Sequence, residues 1–473
     1  MADYELVVIG AGATGLGAAR SARRAGRRVA LVEAARPGGD CTHFGCVPSK
    51  AMLETARRVH AARNGEAYGF TAAPQVDFAA VMRRVHAVIA DIERDESPEL
   101  LATQGIDLLA DWGVVTGPTS IDVGGRSVSF EKLVVASGSR AFVPPIDGLA
   151  DVPYLDNTTI FSLTEQPEHL VVLGGGPIGV ELSQAFRRLG SRVTIVEGGA
   201  ALLGREEPEA QVAVTAALEH EGVTVRTGVK AVRVDAGGSN PVLHLSDGTS
   251  IVGSHLLVAV GRTPSTDGFG LEKAGVALEK GRIVTDSHLR AADTVWAAGD
   301  CTSKLQFTHV GDEQGRMAAR NAFAGSAPWK RGTWDDRVVP WVTFTEPEVG
   351  HVGLTEQQAF EQYGERAMVA TAWDRHGDRA RTAGETGGFV KLIAVPGPVG
   401  GMATGRLVGM TAGGPMAGEL LAEGALSMRS KGLVGRMAQT IHADPTWSLT
   451  PRYAAAAFFG RGREAARPAR GPA

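Results

Sequence analysis

The sequence predicts an α/β protein of about three domains. A β-rich run, a glycine-rich turn and a helical stretch follow one another near the amino terminus, and the same succession recurs from Leu170. A new α+β segment begins near Trp341. At roughly 150 residues per domain, the 473-residue chain is long enough for this organisation.

The first glycine turn predicts a dinucleotide site. The run Glu5–Ile9 leads into a G-x-G-x-x-G turn, after which an Ala/Arg-rich stretch predicts a helix. Such glycines let the backbone approach a pyrophosphate at the helix amino terminus. A second β-rich run, Arg28–Val32, ends on Glu33, where a carboxylate can accept hydrogen bonds from ribose hydroxyls. The three glycines are Gly10, Gly12 and Gly15.

The second turn repeats every part of the first. A strand over Leu170–Leu173, a helix over Val180–Leu189 and a strand over Val193–Val196 are predicted, and Glu197 follows. Its glycines are Gly174, Gly176 and Gly179. The fold class is therefore two doubly wound, Rossmann-like dinucleotide-binding domains followed by an α+β domain. One nucleotide could be a tightly held flavin and the other an exchangeable nicotinamide.

Glu197 favours NADH over NADPH. A carboxylate at this strand end accepts hydrogen bonds from a ribose 2′-hydroxyl and repels a 2′-phosphate. The following residues offer no cation before Arg205.

The remaining segments are less distinctive. Asp77–Gln104 is helical by periodicity, Gly113–Arg140 is strand-rich, and Ala417–Ser430 is an apolar helix. Residues 461–473 have the composition of a flexible tail.

Composition excludes several classes of protein. Hydrophobic residues at 44% and charged residues at 21% are globular values, and a net charge of −4 gives no case for nucleic acid or an anionic membrane. Neither a secretory signal nor a run long enough to span a membrane is apparent. Three cysteines cannot form a secreted disulfide framework, so a cytoplasmic location is expected.

Two of the cysteines, Cys41 and Cys46, lie close together and suggest redox or metal chemistry. In a straight helix they would be separated by about 7.5 Å along the axis, beyond the ~7 Å limit for a disulfide. A bridge therefore needs a distorted turn, which Gly45 can supply. The spacing fits a zinc site poorly, so no metal site is predicted. Two unrelated buried thiols are the remaining interpretation.

These features together resemble the flavoprotein disulfide reductases, the family of dihydrolipoamide dehydrogenase, glutathione reductase and mercuric reductase. The resemblance spans nearly the whole chain and rests on both glycine turns and four further motifs. These are Gly39-Asp40-Cys41 to Gly45-Cys46-Val47-Pro48-Ser49-Lys50, Ala136-Ser137-Gly138-Ser139-Arg140, Val260-Gly261-Arg262-Thr263-Pro264 and Ala298-Gly299-Asp300-Cys301.

The resemblance implies a domain order. An FAD domain is formed by residues 1–155 and 270–335, an NAD(P) domain by 156–269, and an interface domain by 340–460. The family is homodimeric, and the partner's carboxy-terminal domain completes each active site. The mercuric reductase-like and dihydrolipoamide dehydrogenase-like members are the most similar.

The resemblance also implies roles for single residues. Cys46 is the flavin-facing thiol and Cys41 the thiol that meets a substrate. Lys50 lies near the flavin and pairs with Glu181. Asp300 holds the ribityl chain, and Glu33 the adenosine ribose. The matching motifs add Ser137, Gly138, Gly261 and His309 to the cofactor-binding residues.

The chain departs from the family where members carry a His-Pro-Thr segment followed by a Glu. Asp444 stands in the place of the catalytic His, and Leu449 in the place of the Glu that orients it. An ordinary Asp is protonated in only about one molecule in a thousand at pH 7, so it replaces an imidazole poorly. His442, two residues earlier, could take over, or it could be a packing histidine.

We therefore expect an enzyme that passes electrons from nicotinamide through flavin to the Cys41/Cys46 disulfide and on to a non-standard small-molecule acceptor. A disulfide or a metal ion is the first expectation. A quinone-reducing diaphorase and a non-catalytic redox sensor are the alternatives. No metal-capture domain or carboxy-terminal cysteine pair is found, which argues against a true mercuric reductase. Cys301 is expected to be a buried bystander, and His43 is either a modulator of the thiols or a structural residue.

Overall fold

A computed structural model describes residues 1–237, 240–302, 305–325, 329, 331–462 and 464–471. Ser303 and Lys304, which follow the motif Ala298-Gly299-Asp300-Cys301, lie outside the described residues. The chain divides into two compact units. The first comprises Met1–Pro145, Pro153–Gln166 and Leu256–Trp334, and the second Ile146–Val152, Pro167–His255 and Asp335–Ala473. The finer division into four domain segments stays a prediction.

The described helices, in chain order, are α1 (Ala13–Arg24), α2 (Gly39–His43), α3 (Cys46–Arg63), α4 (Phe78–Glu93), α5 (Pro98–Thr103), α6 (Pro177–Leu189), α7 (Pro208–His220), α8 (Thr308–Ala322), α9 (Glu356–Tyr363), α10 (Asp378–Ala383), α11 (Ala417–Arg429), α12 (Val434–Gln439) and α13 (Leu449–Ala457).

The described strands, in chain order, are β1 (Tyr4–Ile9), β2 (Val29–Val32), β3 (Ile106–Leu109), β4 (Gly113–Gly117), β5 (Ser120–Val123), β6 (Arg126–Val135), β7 (Ser139–Ala141), β8 (His169–Leu173), β9 (Arg192–Val196), β10 (Thr224–Arg226), β11 (Ala231–Gly237), β12 (Asn240–Leu245), β13 (Ser250–Val252), β14 (His255–Val258), β15 (Arg262–Pro264), β16 (Leu278–Glu279), β17 (Arg282–Ile283), β18 (Val295–Ala297), β19 (Pro340–Thr343), β20 (Glu348–Gly353), β21 (Met368–Trp373), β22 (Phe389–Gly397), β23 (Gly401–Gly414) and β24 (Arg467–Pro468).

The first unit is built around a parallel sheet. Strands β3, β2, β1, β6 and β18 pair in parallel in that order, and β4 and β5 extend β6 as an antiparallel meander. Successive residues of β1 face opposite layers. Leu6 and Val8 pack with residues of α1 and α8, whereas Val7 and Ile9 pack with residues of the meander. The run of apolar residues in β1 thus reflects burial on both faces.

The second unit contains a nucleotide-type sheet and an antiparallel sheet. Strands β10, β9 and β8 pair in parallel, with α6 between β8 and β9 in sequence. Six strands from the carboxy-terminal part form the order β19-β20-β23-β22-β21-β24. The antiparallel pairing and its flanking helices α11 to α13 match the predicted α+β segment.

Two segments differ from the sequence prediction. The helix expected over 77–104 is divided, because Pro98 has no backbone N–H to continue it and Ser97 caps the new helix α5 by accepting from the Leu100 amide. The tail expected to be flexible instead adds strand β24 to β21, and Ala469 is buried. Arg467 also forms an ion pair with Glu356, so tertiary contacts order a segment whose composition is that of a linker.

Glu206 is a buried acid in the second unit. Its Oε1 accepts a hydrogen bond of 2.6 Å from the indole Nε1 of Trp341. Within the described part of the chain, its Oε2 has no hydrogen-bond partner. Burial, together with the charge of Glu207, raises the pKa of Glu206 to about 7. The folded protein therefore holds a proton here that the unfolded chain releases at lower pH.

We expect Glu206→Gln to raise the free energy of unfolding by up to about 3 kcal/mol at pH 8 and to change it little below pH 4.5. A folded-state pKa above the ordinary 4.5 makes stability fall as pH rises from about 4.5 to 7, and glutamine removes that loss while keeping an acceptor for Trp341. Urea unfolding at pH 4.5, 6 and 8 measures it. A stability difference that does not grow with pH would contradict the assignment.

Candidate redox and cofactor site

The two glycine turns have the same geometry. The first glycine of each, Gly10 and Gly174, has a positive φ, 94° and 113°. A Cβ on the third glycine would lie 1.7 Å from the Gly10 carbonyl oxygen in one turn and 2.0 Å from the Gly174 oxygen in the other. A Cβ on the middle glycine would meet nothing within 4 Å at Gly176 and only a backbone carbon at 3.7 Å at Gly12. Each turn therefore leaves room for a phosphate group at the start of a helix.

Glu33 and Glu197 fix these turns in the same way. Glu33 accepts hydrogen bonds from the amides of Ala11 at 2.8 Å and Ala35 at 2.9 Å. Glu197 accepts from the amides of Gly175 at 2.7 Å and Gly199 at 2.6 Å. Both acids lie beside their glycine turn, as the spacing predicts. Backbone amides take up part of the hydrogen-bonding capacity of each carboxylate.

Gly45 separates the two cysteine-bearing helices. Helix α2 ends at His43 and α3 begins at Cys46, with Gly45 as its N-cap residue. A Cβ on Gly45 would lie 3.0 Å from the Asp40 carbonyl oxygen and 3.2 Å from the Cys41 Cα, so the chain folds back closely onto α2. The break brings the two cysteines together, as predicted.

The structure holds the cysteines as two thiols in contact with each other. The hydrogen bond with Cys46 and burial raise the pKa of the Cys41 thiol well above its ordinary range. Cys46 is more exposed, and its Sγ lies 3.5 Å from the Thr308 hydroxyl. It also begins the 18-residue helix α3, and Thr308 begins the 15-residue α8. Because helix amino termini favour negative charge, this position suits a thiolate at Cys46.

Side chains on the other positions of α2 hold it in place. The Thr42 hydroxyl donates to Glu96 at 2.9 Å. The buried His43 donates from Nε2 to the Pro37 carbonyl at 2.8 Å, which gives it a structural role. Asp40 accepts from the Asn157 amide at 2.9 Å and pairs with Arg262 at 3.2 Å. A five-residue helix is not stable alone, so these contacts fix the position of Cys41.

The predicted flavin-binding motifs meet in the first unit. The Ser139 hydroxyl donates to Asp300 at 2.6 Å, and Ser137 donates to the Ser265 carbonyl at 2.5 Å. Burial raises the pKa of Asp300, opposed by Ser139 and Arg262. Gly138 and Gly261 both have a positive φ and open space where a Cβ would stand. A polar carboxylate beside glycine-lined space, close to a phosphate-sized turn, fits FAD.

Three other predicted residues have definite surroundings. Lys50 lies one turn after Cys46 in α3 and is half-buried. Glu181 in α6 is buried and accepts a hydrogen bond of 2.9 Å from the Phe344 amide. His309 is exposed in the first turn of α8, where its ring stacks on Phe307. The pairing of Lys50 with Glu181 stays a prediction. Cys301 is fully buried, as expected, with its Sγ 3.2 Å from the Ala298 carbonyl, and its role as a bystander stays a prediction.

The carboxy-terminal segment presents no imidazole in the expected place. Asp444 is exposed, and Leu449 is buried as the first residue of α13. His442 lies nearby, but its Nδ1 donates to the Thr440 carbonyl and its Nε2 lies 3.1 Å from Glu423. Both ring nitrogens thus contact oxygen acceptors of the same domain. A role of His442 or Asp444 in proton transfer stays a prediction.

Lys230 is a cation near the second glycine turn that the sequence did not predict. The Lys230 side chain passes Gly198, with its Cγ 3.4 Å from the position of a Cβ on that glycine. Backbone hydrogen bonds from Gly228 to Gly199 and from Val229 to Glu197 set this approach. Lys230 therefore approaches the residue that follows Glu197, where the sequence offered no nearby cation. No local motif signals it, because it belongs to a later loop.

Comparisons with known proteins agree with this geometry. A family model for the pyridine nucleotide-disulphide oxidoreductases matches residues 4–315, and the model for the dimerisation domain of that family matches residues 339–455. A mercuric reductase of Streptomyces lividans is 36% identical over 96% of both chains. A dihydrolipoyl dehydrogenase of Thermus scotoductus is 36% identical over 95% of this chain and 96% of its own.

A solved structure is also similar over the whole chain. The HOCl-induced flavoprotein disulfide reductase RclA from Escherichia coli, determined also as a Cu(II) complex, has a TM-score of 0.84 and 29% identity. The match covers 96% of this chain and 99% of that one.

Two dinucleotide turns, an adjacent cysteine pair and the family models that match the chain define an NAD(P)H-dependent flavoprotein oxidoreductase. The chain belongs to the pyridine nucleotide-disulphide oxidoreductase family. FAD and a pyridine nucleotide are the cofactors of this family, and its dimerisation domain indicates a homodimer. No helix in the described ranges is long and apolar enough to cross a membrane.

Proposed function

We propose that the protein reduces a metal ion at the Cys41/Cys46 dithiol, using electrons from NADH. Bound FAD supplies the two-electron link between the nicotinamide and the cysteine pair. A disulfide without need for acid catalysis is the second candidate acceptor. A cytoplasmic location, suggested by the low cysteine content, is part of this proposal.

The observation that carries the proposal is the replacement of the acid/base pair. Disulfide reduction needs a group that protonates the departing thiolate, and this segment offers the exposed carboxyl group of Asp444 where the family has an imidazole. The buried Leu449 cannot orient an imidazole. Reduction of a soft metal ion forms no sulfur leaving group, so it does not require this acid.

Reduction of a metal ion by the cysteine pair balances in electrons and protons without a further reagent. Two thiolates are soft ligands that suit Cu and related ions. When the thiols of Cys41 and Cys46 join in a disulfide, they release two protons to solvent and two electrons. Two Cu(II) ions take up one electron each and become Cu(I). Thr308 and the two helix amino termini stabilise the thiolate that begins this exchange.

The relatives support a metal acceptor. Several of the similar proteins are mercuric reductases, and the similar RclA has been solved as a Cu(II) complex. These are properties of those proteins, and they make Hg(II) and Cu(II) the first ions to test here.

An anaerobic acceptor screen tests the proposal. NADH oxidation is followed with Cu(II), Hg(II), lipoamide, a small disulfide and a quinone, each with NADPH in parallel. We expect turnover with a metal ion to exceed that with lipoamide by at least about tenfold. Efficient lipoamide reduction, or turnover with the quinone alone, would overturn the proposal in favour of a disulfide reductase or a diaphorase.

The nicotinamide preference gives a second test, at Lys230. Glu197 favours NADH, but Lys230 beside Gly198 provides a positive charge for a 2′-phosphate. We expect Lys230→Glu to lower kcat/KM for NADPH about tenfold while changing that for NADH less than twofold. Steady-state kinetics with both nucleotides measure this, with the exposed Arg366→Glu as a charge-matched control. An unchanged NADPH/NADH ratio would exclude Lys230 from the nucleotide site.

A further inference from the structure

The guanidinium of Arg262 lies between the redox helix α2 and the predicted ribityl carboxylate. Its Nε donates to the Ser139 hydroxyl at 2.7 Å, and its terminal nitrogen donates to the Ser139 carbonyl at 2.9 Å. The same terminal nitrogen lies 3.2 Å from Asp40. Ser139 in turn donates to Asp300 at 2.6 Å. A single side chain that is 14% exposed thus joins the residue before Cys41 to Asp300.

Arg262 supplies the positive charge that compensates the two carboxylates of this arrangement. Asp40 lies within 4 Å of the guanidinium, and so does Asp300, at 3.9 Å. Burial raises the pKa of Asp300 and the charge of Asp40 adds to this, whereas Ser139 and Arg262 oppose it. Without Arg262, the partly buried carboxylates of Asp40 and Asp300 would lose the positive charge that they share.

Asp40 is the side chain of α2 that reaches towards Asp300, whereas the backbone of Gly39, the first residue of α2, packs against Gly12 of the glycine turn. Thr42 and His43 anchor the helix to Glu96 and Pro37, neither of which belongs to the glycine-lined space or to Asp300. The second oxygen of Asp40 accepts from Asn157, which keeps the carboxylate oriented towards Arg262. Ser139 and Arg262 thus form a continuous chain of polar contacts from Asp300 to the helix that carries Cys41.

We propose that Arg262 is a positioning residue that couples FAD binding to the order of the Cys41/Cys46 loop, through Asp40 on one side and Ser139 and Asp300 on the other. The proposal rests on the FAD site of the family and is independent of which acceptor the enzyme uses. By linkage, a contact that FAD stabilises must in turn favour FAD binding.

Four variants of the full-length, FAD-loaded protein test this coupling. They are Arg262→Met, Arg262→Lys, Asp40→Asn and the control Arg140→Met. Arg140 lies on β7, which pairs with β15 of Arg262, but it pairs with Asp267 and contacts neither Asp40 nor Asp300 through any described bond. Three quantities are measured: FAD release on dilution, hydrogen exchange of residues 39–49, and the thiolate-to-flavin absorption band of the reduced form.

We expect Arg262→Met to weaken FAD binding about tenfold, to raise exchange in residues 39–49 at least fivefold and to weaken the absorption band. Asp40→Asn, which alters only the loop end of the contact, should raise the exchange, weaken the band and weaken FAD binding by less than Arg262→Met does. Arg262→Lys, which keeps the charge, should recover part of each loss, and Arg140→Met should match the wild type.

Two outcomes would overturn the coupling. In the first, Arg262→Met weakens FAD binding but leaves exchange of residues 39–49 and the absorption band unchanged, so the two contacts are independent. In the second, Arg140→Met reproduces the effects, so they follow from any loss of a cation on this strand pair. Because no acceptor enters the measurements, neither outcome depends on the proposed metal reduction. If Arg262→Met does not fold, the lysine variant and Asp40→Asn still decide between these results.

Discussion

Cys46→Ser is expected to lower NADH-dependent metal-ion reduction by at least about 10³-fold, and Cys41→Ser to do the same. A serine hydroxyl has nearly the size of a thiol but cannot be oxidised to a disulfide, so the dithiol loses its two-electron capacity. Cys46 also lies beside Thr308 at the start of two helices, a position that suits a thiolate, and serine does not ionise there. Steady-state turnover with Cu(II) or Hg(II) under anaerobic conditions measures the loss.

Cys301→Ser is the matched control for this result. Cys301 is fully buried, and burial raises the pKa of its thiol to about 11, so it stays protonated and away from the exchange. We expect its turnover to remain within about twofold of the wild type. Reductive titration gives an independent readout: the wild type should take up about four electrons per flavin and Cys46→Ser about two. Undiminished metal reduction by Cys46→Ser would remove the dithiol from the mechanism.

The same variant separates the alternative functions. In a diaphorase, electrons leave from the flavin, and quinone turnover should persist in Cys46→Ser. In a redox sensor without catalysis, no acceptor should sustain turnover in the wild type. Turnover of the wild type and of Cys46→Ser together therefore decides among the three functions that the sequence leaves open.

The parts of the site that the sequence predicts are those that local geometry determines. The glycine turns, Glu33, Glu197 and the break at Gly45 each depend on residues within one βαβ unit or one loop, and spacing alone places them. The family resemblance adds the remaining motifs but no distances. The division of Asp77–Gln104 at Pro98 could also be expected from proline chemistry.

The contacts that the sequence does not predict depend on distant pairings. Arg262 reaches Asp40 because β15 pairs with β7, and Lys230 reaches Gly198 because the loop after β10 follows the turn after β9. Periodicity carries no information about which loops meet. The ordered tail is a similar case, since the strand that contains Arg467 pairs with the distant β21 and its side chain pairs with Glu356.

Restoring the missing acid/base pair is expected to return ordinary disulfide reduction. We expect Asp444→His with Leu449→Glu to raise NADH-dependent lipoamide turnover by about 10² or more, the range of general acid catalysis. An ordinary imidazole, with a pKa near 6.5, is protonated in a substantial fraction of molecules at pH 7, whereas an ordinary aspartate is not. Anaerobic lipoamide reduction across pH 5.5 to 8.5 measures the gain, and the activity should fall as pH rises through the imidazole titration.

The single variants show whether the two residues act as a pair. Leu449 is buried, so Leu449→Glu alone places a carboxylate among apolar groups and is expected to lower stability by a few kcal/mol. The histidine supplies the partner that offsets this penalty, so the double variant should be more stable than Leu449→Glu alone. Asp444→Asn with Leu449→Gln changes the same positions without an acid and should give no lipoamide turnover. If the double variant is folded and stable but still inactive with lipoamide, then the absent pair is not what limits disulfide reduction, and the preference for a metal ion must arise at the dithiol itself.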